Sequence, residues 1–329
     1  MKEKITIIRI SIVVAVLIFI LPMQAAELSI YDIQYTDDPN GESPQNGSII
    51  DCTGGIVTHK PSTGRPRLIV QNPSYPEGWG AIQAKDLFGT GFFADVNVGD
   101  WISLTNVLVE ENKGTTFLQY IEDNKAGFEI LSTDNPLPEP IVVGVNEIAS
   151  PIEDLGAWIV SNHNCEKYES MLIKVIDVTV ANAGYGKAYD NYILQSNVDP
   201  NLICWASDYM NTDKAKGLVY HPDVEIGQDF CGVTGILEQY TAESDGIYYD
   251  YYQLLTTGTY DLTIEQIADF DGDCDVDFFD FSVFAGYWLM DGCGEPDWCG
   301  RADMAEQLPD GVVDIYDMIE FANYWLEGR

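Results

Sequence analysis

The chain has 329 residues, 46% of them hydrophobic, and sets 53 acidic side chains against 16 Lys and Arg for a formal charge of −37 at pH 7. That length suits two or three domains of roughly 100–200 residues, and the apolar content excludes a disordered chain. A field of this sign repels phosphate backbones and anionic lipid, so composition predicts no nucleic-acid partner, while abundant carboxylates suit the hard cation Ca²⁺.

In chain order, residues 1–26 carry a basic start (Lys2, Lys4, Arg9), an apolar run over 10–21 and the small-residue end Gln24-Ala25-Ala26. This is the build of a secretory signal peptide, too short in its apolar run for a spanning helix of ~20 residues. The expectation is a secreted, extracellular or cell-surface protein with no membrane span after signal cleavage. Export permits disulfides, and seven cysteines follow: Cys52, Cys165, Cys204, Cys231, Cys274, Cys293 and Cys299. The odd count leaves at least one thiol free or paired between molecules, and Cys293 with Cys299, six apart across a Gly/Pro loop, is the expected bridge.

Residues 27–135 read as an all-β domain. Short apolar runs such as Ser48-Ile49-Ile50, Gly55-Ile56-Val57-Thr58, Arg67-Leu68-Ile69-Val70, Trp101-Ile102-Ser103-Leu104 and Thr116-Phe117-Leu118-Gln119-Tyr120 are bounded by Gly, Pro, Asn or Asp. Asn135-Pro136-Leu137-Pro138-Glu139-Pro140 is proline-spaced and extended, which puts a linker at 136–144. Residues 145–262 open with a stretch over 145–157 whose spacing allows a helix, then return to strands at 169–180, 192–195, 230–237 and 251–255. In both blocks a Gly/Asp turn introduces a late strand: Val98-Gly99-Asp100-Trp101 in one and Ile226-Gly227-Gln228-Asp229-Phe230 in the other. That order resembles tandem OB-fold modules of extracellular bacterial proteins, with an immunoglobulin-like sandwich as the rival for short strands at this spacing.

A helical period appears only near the C-terminus. Asp280-Phe281-Ser282-Val283-Phe284-Ala285-Gly286-Tyr287-Trp288-Leu289 recurs 37 residues later as Asp317-Met318-Ile319-Glu320-Phe321-Ala322-Asn323-Tyr324-Trp325-Leu326. Phe, Ala, Tyr, Trp and Leu coincide, the mark of an internal duplication. Before the first copy, Asp269, Asp271, Asp273, Asp277 and Asp280 stand at positions 1, 3, 5, 9 and 12 of a loop whose position 7, Asp275, offers its carbonyl. This is the spacing with which an EF-hand loop wraps oxygen ligands around Ca²⁺. The second copy places Asp310, Val312 (carbonyl), Asp314 and Asp317 in the same order, and Asp303 reaches position 1 only across an insertion of about three residues, with Glu306 as a replacement donor.

Loop, exiting helix and duplication together make residues 263–329 similar to type I dockerins. The resemblance implies a small α-helical module with two Ca²⁺ sites and a cohesin-like partner met through Phe278, Phe279, Ile315 and Tyr316; one residue of each pair packing inside is the plainer alternative. Cys274 stands where such loops turn on a glycine, and a bridge to Cys293 or Cys299 would hold it there. The expected class is mainly β, two tandem OB-like barrels (27–135 and 145–262) followed by the dockerin-like module. The expected function is a secreted, non-catalytic binding or anchoring protein, with glycan favoured as the ligand of the β modules. The alternatives are an extracellular polysaccharide hydrolase, which needs only two carboxylates, and a nucleic-acid-binding OB-fold protein, disfavoured by charge. No nucleophile elbow, P-loop or zinc-protease helix is present, and His163, Cys165, Cys204 and His221 lack the paired spacing of a zinc site.

Overall fold

The computed structural model describes residues 27–62, 66–154, 157–185, 191–210, 224–244, 246–256, 262–263, 267–272, 274–294, 296–305 and 310–325. The leader at 1–26, His221, Asp273 and Glu306 lie outside the described residues.

The alternation of the first block builds β1 (Glu27–Leu28), β2 (Ile49–His59), β3 (Arg67–Gln71), β4 (Ala81–Lys85), β5 (Trp101–Asn112), β6 (Thr115–Gln119) and β7 (Gly127–Ser132), with one short helix, α1 (Ile30–Gln34). A capping box between Ser29 and Asp32 starts α1. Strands β2 to β6 close on themselves: β2 pairs with β3, β3 with β4, β4 in parallel with β6, β6 with β5, and β5 returns to β2. Closure is what separates a barrel from a sandwich, so the immunoglobulin-like alternative is excluded.

The second block repeats the circuit. It contains β8 (Ile141–Gly144), β9 (Ile152–Asp154), β10 (Ala157–Ile159), β11 (Leu172–Tyr185), β12 (Asn191–Ser196), β13 (Ile203–Ser207), β14 (Asp229–Ser244), β15 (Ile247–Leu255) and β16 (Leu262–Thr263). The closed path runs β11, β12, β13, then parallel to β15, β14 and back to β11. Each barrel is OB-like, five strands in the order 1-2-3-5-4-1. The Gly/Asp turns do the same work in both: Gly99 (φ 89) and Gly227 (φ 84) precede the fourth strand and donate to the first, to Val57 and Val180 respectively.

Two readings are corrected by the tertiary structure. Among its described residues the stretch at 145–157 holds the 3-10 turn Val145–Glu147 and then strand β9, because Pro151 and the pairing of β9 with β10 interrupt a helix. The linker expected at 136–144 stops with its last proline, Pro140: residues 141–144 form β8, which lies parallel to β11 in register.

Each barrel has its own apolar core, one around Val57, Leu68, Ile82 and Leu104 and one around Ile173, Val175, Leu194 and Leu254. A third cluster, Ile69 with Leu172, Ile236 and Leu255, seals the seam between them. Backbone amides cross that seam too, with Thr241 donating to Lys113 O (2.8 Å) and Trp79 to Lys167 O (2.6 Å).

The C-terminal residues form two loop–helix units ending in α2 (Phe278–Gly286) and α3 (Ile315–Asn323). Their first turns are identical capping boxes, Asp277 with Asp280 and Asp314 with Asp317. Phe284 and Phe321, buried and stacked at 5.3 Å, face each other across the pseudo-symmetric pair. Among the described residues no helix is long and apolar enough to cross a membrane.

Candidate functional site

A cleft of about 600 Å³ opens where the two barrels meet. Its first wall is the face of barrel one made by its second and third strands, presenting Arg67 at the start of β3 and Lys85 at the end of β4, together with the β5–β6 loop that carries Lys113. This is the side on which OB-folds take oligonucleotides and oligosaccharides. The opposite wall belongs to barrel two: Tyr209 beyond β13, Glu238, Gln239 and Tyr240 on β14, and Tyr251 and Gln253 on β15.

Each cation lies on an aromatic ring: Arg67 over Tyr209 (4.9 Å), Lys85 over Phe117 (4.0 Å) and Lys113 over Tyr240 (5.1 Å). Glu238 anchors the floor, accepting from Gln83 (3.1 Å), Tyr209 (2.6 Å) and Gln253 (3.2 Å) and lying 3.9 Å from the Arg67 guanidinium. Those donors leave Arg67 under-used, since its Nε and Nη2 are buried with no hydrogen-bond partner among the described residues. Asn191 Oδ1 and Gln239 Oε1, also in the cleft lining, are in the same condition. Buried polar atoms of this kind are rare and carry a desolvation penalty that an incoming ligand can relieve. Burial pushes the Lys85 ammonium down to about 8, with Glu238 opposing and Arg67 reinforcing the shift. Burial likewise raises the Tyr209 hydroxyl, and Glu238 beside it adds to the effect. Among the described lining residues Glu238 is the single carboxylate, so the facing acids of a glycoside hydrolase are not built there.

This cleft leaves no mark in the sequence. Arg67 and Lys85 sit singly in strands whose hydrophobic patterning is their visible feature, and strand β4 itself, Ala81-Ile82-Gln83-Ala84-Lys85, gave no strand signal beyond alternation.

The acidic residues singled out in the sequence gather at the C-terminal loops. Asp269, Asp271 and Asp280 bring one carboxylate oxygen each within 4.8 Å of one another, and so do Asp275, Asp277 and Asp280. The loop backbone organises them: Asp269 accepts from the amides of Gly272 (2.7 Å) and Cys274 (3.0 Å), and Asp280 from those of Phe270 (2.6 Å), Asp271 (3.2 Å) and Asp277 (2.7 Å). Loop two repeats the scheme with Asp303 accepting from Asp310 and Gly311, and Asp317 from Met304, Ala305 and Asp314. Gly311 (φ 91) takes the turn that Cys274 (φ 74) takes in loop one. Val312 bridges to Asp291 as an isolated β pair. Among the described residues no three-carboxylate grouping forms in loop two. The all-oxygen donor set of loop one fits a hard divalent cation.

Phe278, Phe279, Ile315 and Tyr316 are all exposed, by 72%, 69%, 55% and 65%, so neither pair sends a member into the core. The Cys293–Cys299 bridge forms, but Cys274 pairs with Cys231 of β14 rather than with either of them. Cys52, Cys165 and Cys204 are free, buried thiols that burial pushes up to about 12, which leaves them neither nucleophiles nor ready metal ligands. His163 contacts Tyr252 and Gln239 and sits 3.4 Å from Asp250.

The fold and the cleft together define a mainly β protein of two OB-like barrels with a ligand-sized groove between them. No known family model matches the chain, and no curated protein does. Among solved structures, the chain is similar to fission yeast Pot1 with single-stranded DNA, at 10% identity over 66% of this chain and 81% of that one, TM-score 0.27. It is also similar to the Ifi202 HINa domain in complex with 20 bp double-stranded DNA, at 8% identity over 64% and 97%, TM-score 0.29. A replication protein A heterotrimer bound to single-stranded DNA aligns at 14% identity over 53% and 40%, TM-score 0.23. Likenesses this distant carry no functional argument for this chain.

The three are described with DNA and none with a cohesin or a glycan, against the partners expected from the sequence. The anchoring function, the cohesin-like partner of Phe278, Phe279, Ile315 and Tyr316, the glycan ligand and the exclusion of nucleic acid are withdrawn. Net charge is too coarse a ground for that exclusion. Net charge sums the whole surface, whereas exposed charges are screened beyond about 8 Å at physiological salt, and three cations converge in this one cleft.

Proposed function

We propose that the two barrels bind single-stranded nucleic acid across their shared cleft. The observation that carries this reading is Arg67, whose guanidinium keeps two buried nitrogens without an acceptor among the described residues, in a groove walled by Tyr209, Tyr240 and Tyr251. Guanidinium suits a phosphate, which it can grip with two parallel hydrogen bonds, and the half-buried tyrosines of the wall are a residue type on which unstacked bases stack. A duplex presents no free base faces, so single strands are favoured. The −37 charge confines the contact to the cleft, and with three cations the affinity should fall with salt at a slope near −2, about −0.7 per phosphate neutralised.

The test is fluorescence anisotropy with a labelled oligothymidylate, comparing the intact protein with Lys113→Glu, an exposed loop change outside both cores. Saturable binding that Lys113→Glu weakens at least about tenfold supports the reading. No binding at low salt, or an equal affinity for both proteins, overturns it.

A second reading concerns residues 263–329, which we infer to be a dockerin-like Ca²⁺ module. The two loops share one hydrogen-bonding scheme although the second is longer, and loop one has convergent carboxylates. Asp269, Asp271, Asp273, Asp277, Asp280 and the Asp275 carbonyl would hold the first ion; Asp303, Asp310, Asp314, Asp317 and the Val312 carbonyl the second. The bound ion would supply charge neutralisation and cross-linking to loops that otherwise repel themselves. Titration calorimetry with Ca²⁺ tests it, with Asp280→Asn abolishing the tighter event. The domain limits 27–135, 145–262 and 263–329 and export of the chain belong to the same proposal, export being supported by two disulfides.

A further inference from the structure

Loop one of the C-terminal module is tied to barrel two by several independent contacts. Its sixth residue, Cys274, is bonded through sulfur to Cys231, the third residue of β14 and a neighbour of the buried Phe230. The carbonyl of the same Cys274 accepts from the Lys174 ammonium at 3.0 Å, and Lys174 belongs to β11. Lys174 reaches it by lying flat across Gly232 of β14, where a Cβ would come within 2.8 Å of its Cε. The short strand β16 pairs with β14 at that same residue, Gly232 with Thr263, so the chain enters the module from the spot where the disulfide holds it.

The tether also bears on the loop's own chemistry. Cys274 holds a φ of 74, in the left-handed region where a residue with a Cβ is strained and where Gly311 stands in loop two. Its amide donates to Asp269, the first carboxylate of the cage, and the Asp269 carbonyl in turn accepts from Arg301 at 2.6 Å. One residue therefore shapes the cage from its backbone and grips barrel two from its side chain.

We propose that occupancy of loop one by Ca²⁺ and the folding of barrel two are thermodynamically coupled through Cys231–Cys274 and Lys174. This rests on the calcium reading of loop one and goes beyond it: barrel two is a beneficiary of the ion, and the barrel in turn preorganises the cage. An ion that binds only the native state multiplies the folding equilibrium constant by about 1 + [Ca²⁺]/Kd, so a concentration of 100 Kd slows globally limited exchange of barrel-two amides by up to about 100-fold. Coupling is reciprocal, so severing the tether weakens Ca²⁺ binding by the factor that it costs the barrel.

The experiment is hydrogen exchange of the oxidised full chain, followed on peptides from β11 and β14, in chelator and in CaCl₂, alongside calorimetric titration of the same protein. The comparison variant combines Cys231→Ser and Cys274→Gly with Lys174→Met, which gives the loop its usual turn residue while removing both the disulfide and the ammonium contact. Expected are Ca²⁺-dependent protection of β11 and β14 in the wild type and loss of that protection in the variant, which still binds Ca²⁺. If the wild type binds Ca²⁺ and β11 and β14 exchange at unchanged rates, the coupling is overturned and the calcium reading stands. Undiminished protection in the variant also overturns it. Absence of calorimetric binding in the wild type overturns both.

Discussion

Glu166→Gln should make the two-barrel unit more stable at neutral pH while leaving it unchanged in acid. Glu166 is buried at the seam, 5% exposed, with its carboxylate accepting from the Tyr252 hydroxyl at 2.5 Å and pressed against the glycine backbone at Gly41. Burial first, and then Glu111 and Asp250, push its carboxyl from 4.5 up to about 8 against the opposing Tyr252 bond. Glu169, fully buried alongside and accepting from Gln34 (3.2 Å) and the Thr116 amide (3.1 Å), is raised for the same reasons. In the unfolded chain Glu166 ionises near 4.5 and in the folded chain near 8, so between those values the folded state holds the extra proton. Stability is then fully present below 4.5 and is lost as pH climbs toward 8. At about 1.36 kcal/mol per unit the whole span is worth roughly 5 kcal/mol, and roughly 3 of that is gone by pH 7. Gln keeps the shape and the acceptor for Tyr252 without the ionisation. With about 2–4 °C per kcal/mol for a unit of this size, the variant should melt roughly 6–12 °C higher at pH 7 and within about 2 °C of wild type near pH 4.5. Melting curves by circular dichroism across that range measure it. Parallel curves for the two proteins would refute the reasoning, because surface self-repulsion at −37 acts on both alike.

Three further outcomes are expected. Oligothymidylate affinity should fall as pH rises through about 8, where the depressed Lys85 ammonium loses its proton, and Lys85→Arg, which stays charged, should flatten that profile in anisotropy titrations. Asp280→Asn should abolish the tighter calorimetric Ca²⁺ event, whereas Asp303→Asn should spare it, since only Asp280 belongs to both carboxylate groupings of loop one. Gly232→Ala should push Lys174 off the Cys274 carbonyl and cost about 1.5–3 kcal/mol, the range for a hydrogen bond to a charged group, read as a lower urea midpoint for barrel two.

Much of the architecture was legible because it is written in local periodicities. The carboxylate spacing from Asp269 to Asp280 and the aromatic helices around Phe284 and Phe321 depend on residues only a few positions apart, and the structure places them as loops and helices at those positions. The Gly99 and Gly227 turns were likewise visible, since a left-handed backbone ahead of an apolar strand selects glycine locally. Residues 145–157 misled, because a helical spacing there competes with strand pairing of β9 with β10, a contact that spacing alone does not weigh. Strand β13 went unnoticed for a similar reason: its five residues are organised by β12 and β15 on either side.

The sequence by itself determined the β character, the duplicated loop–helix and the acid-rich loops, all consequences of which side chains recur at which interval. Tertiary structure alone decided the closure of the barrels, the pairing of Cys231 with Cys274 across 43 residues, and the assembly of Arg67, Lys85 and Lys113 into one cleft. Those three cations are scattered singly along a strongly acidic chain, and only the circuit of strands, which returns distant segments to adjacent positions, sets them together in one groove.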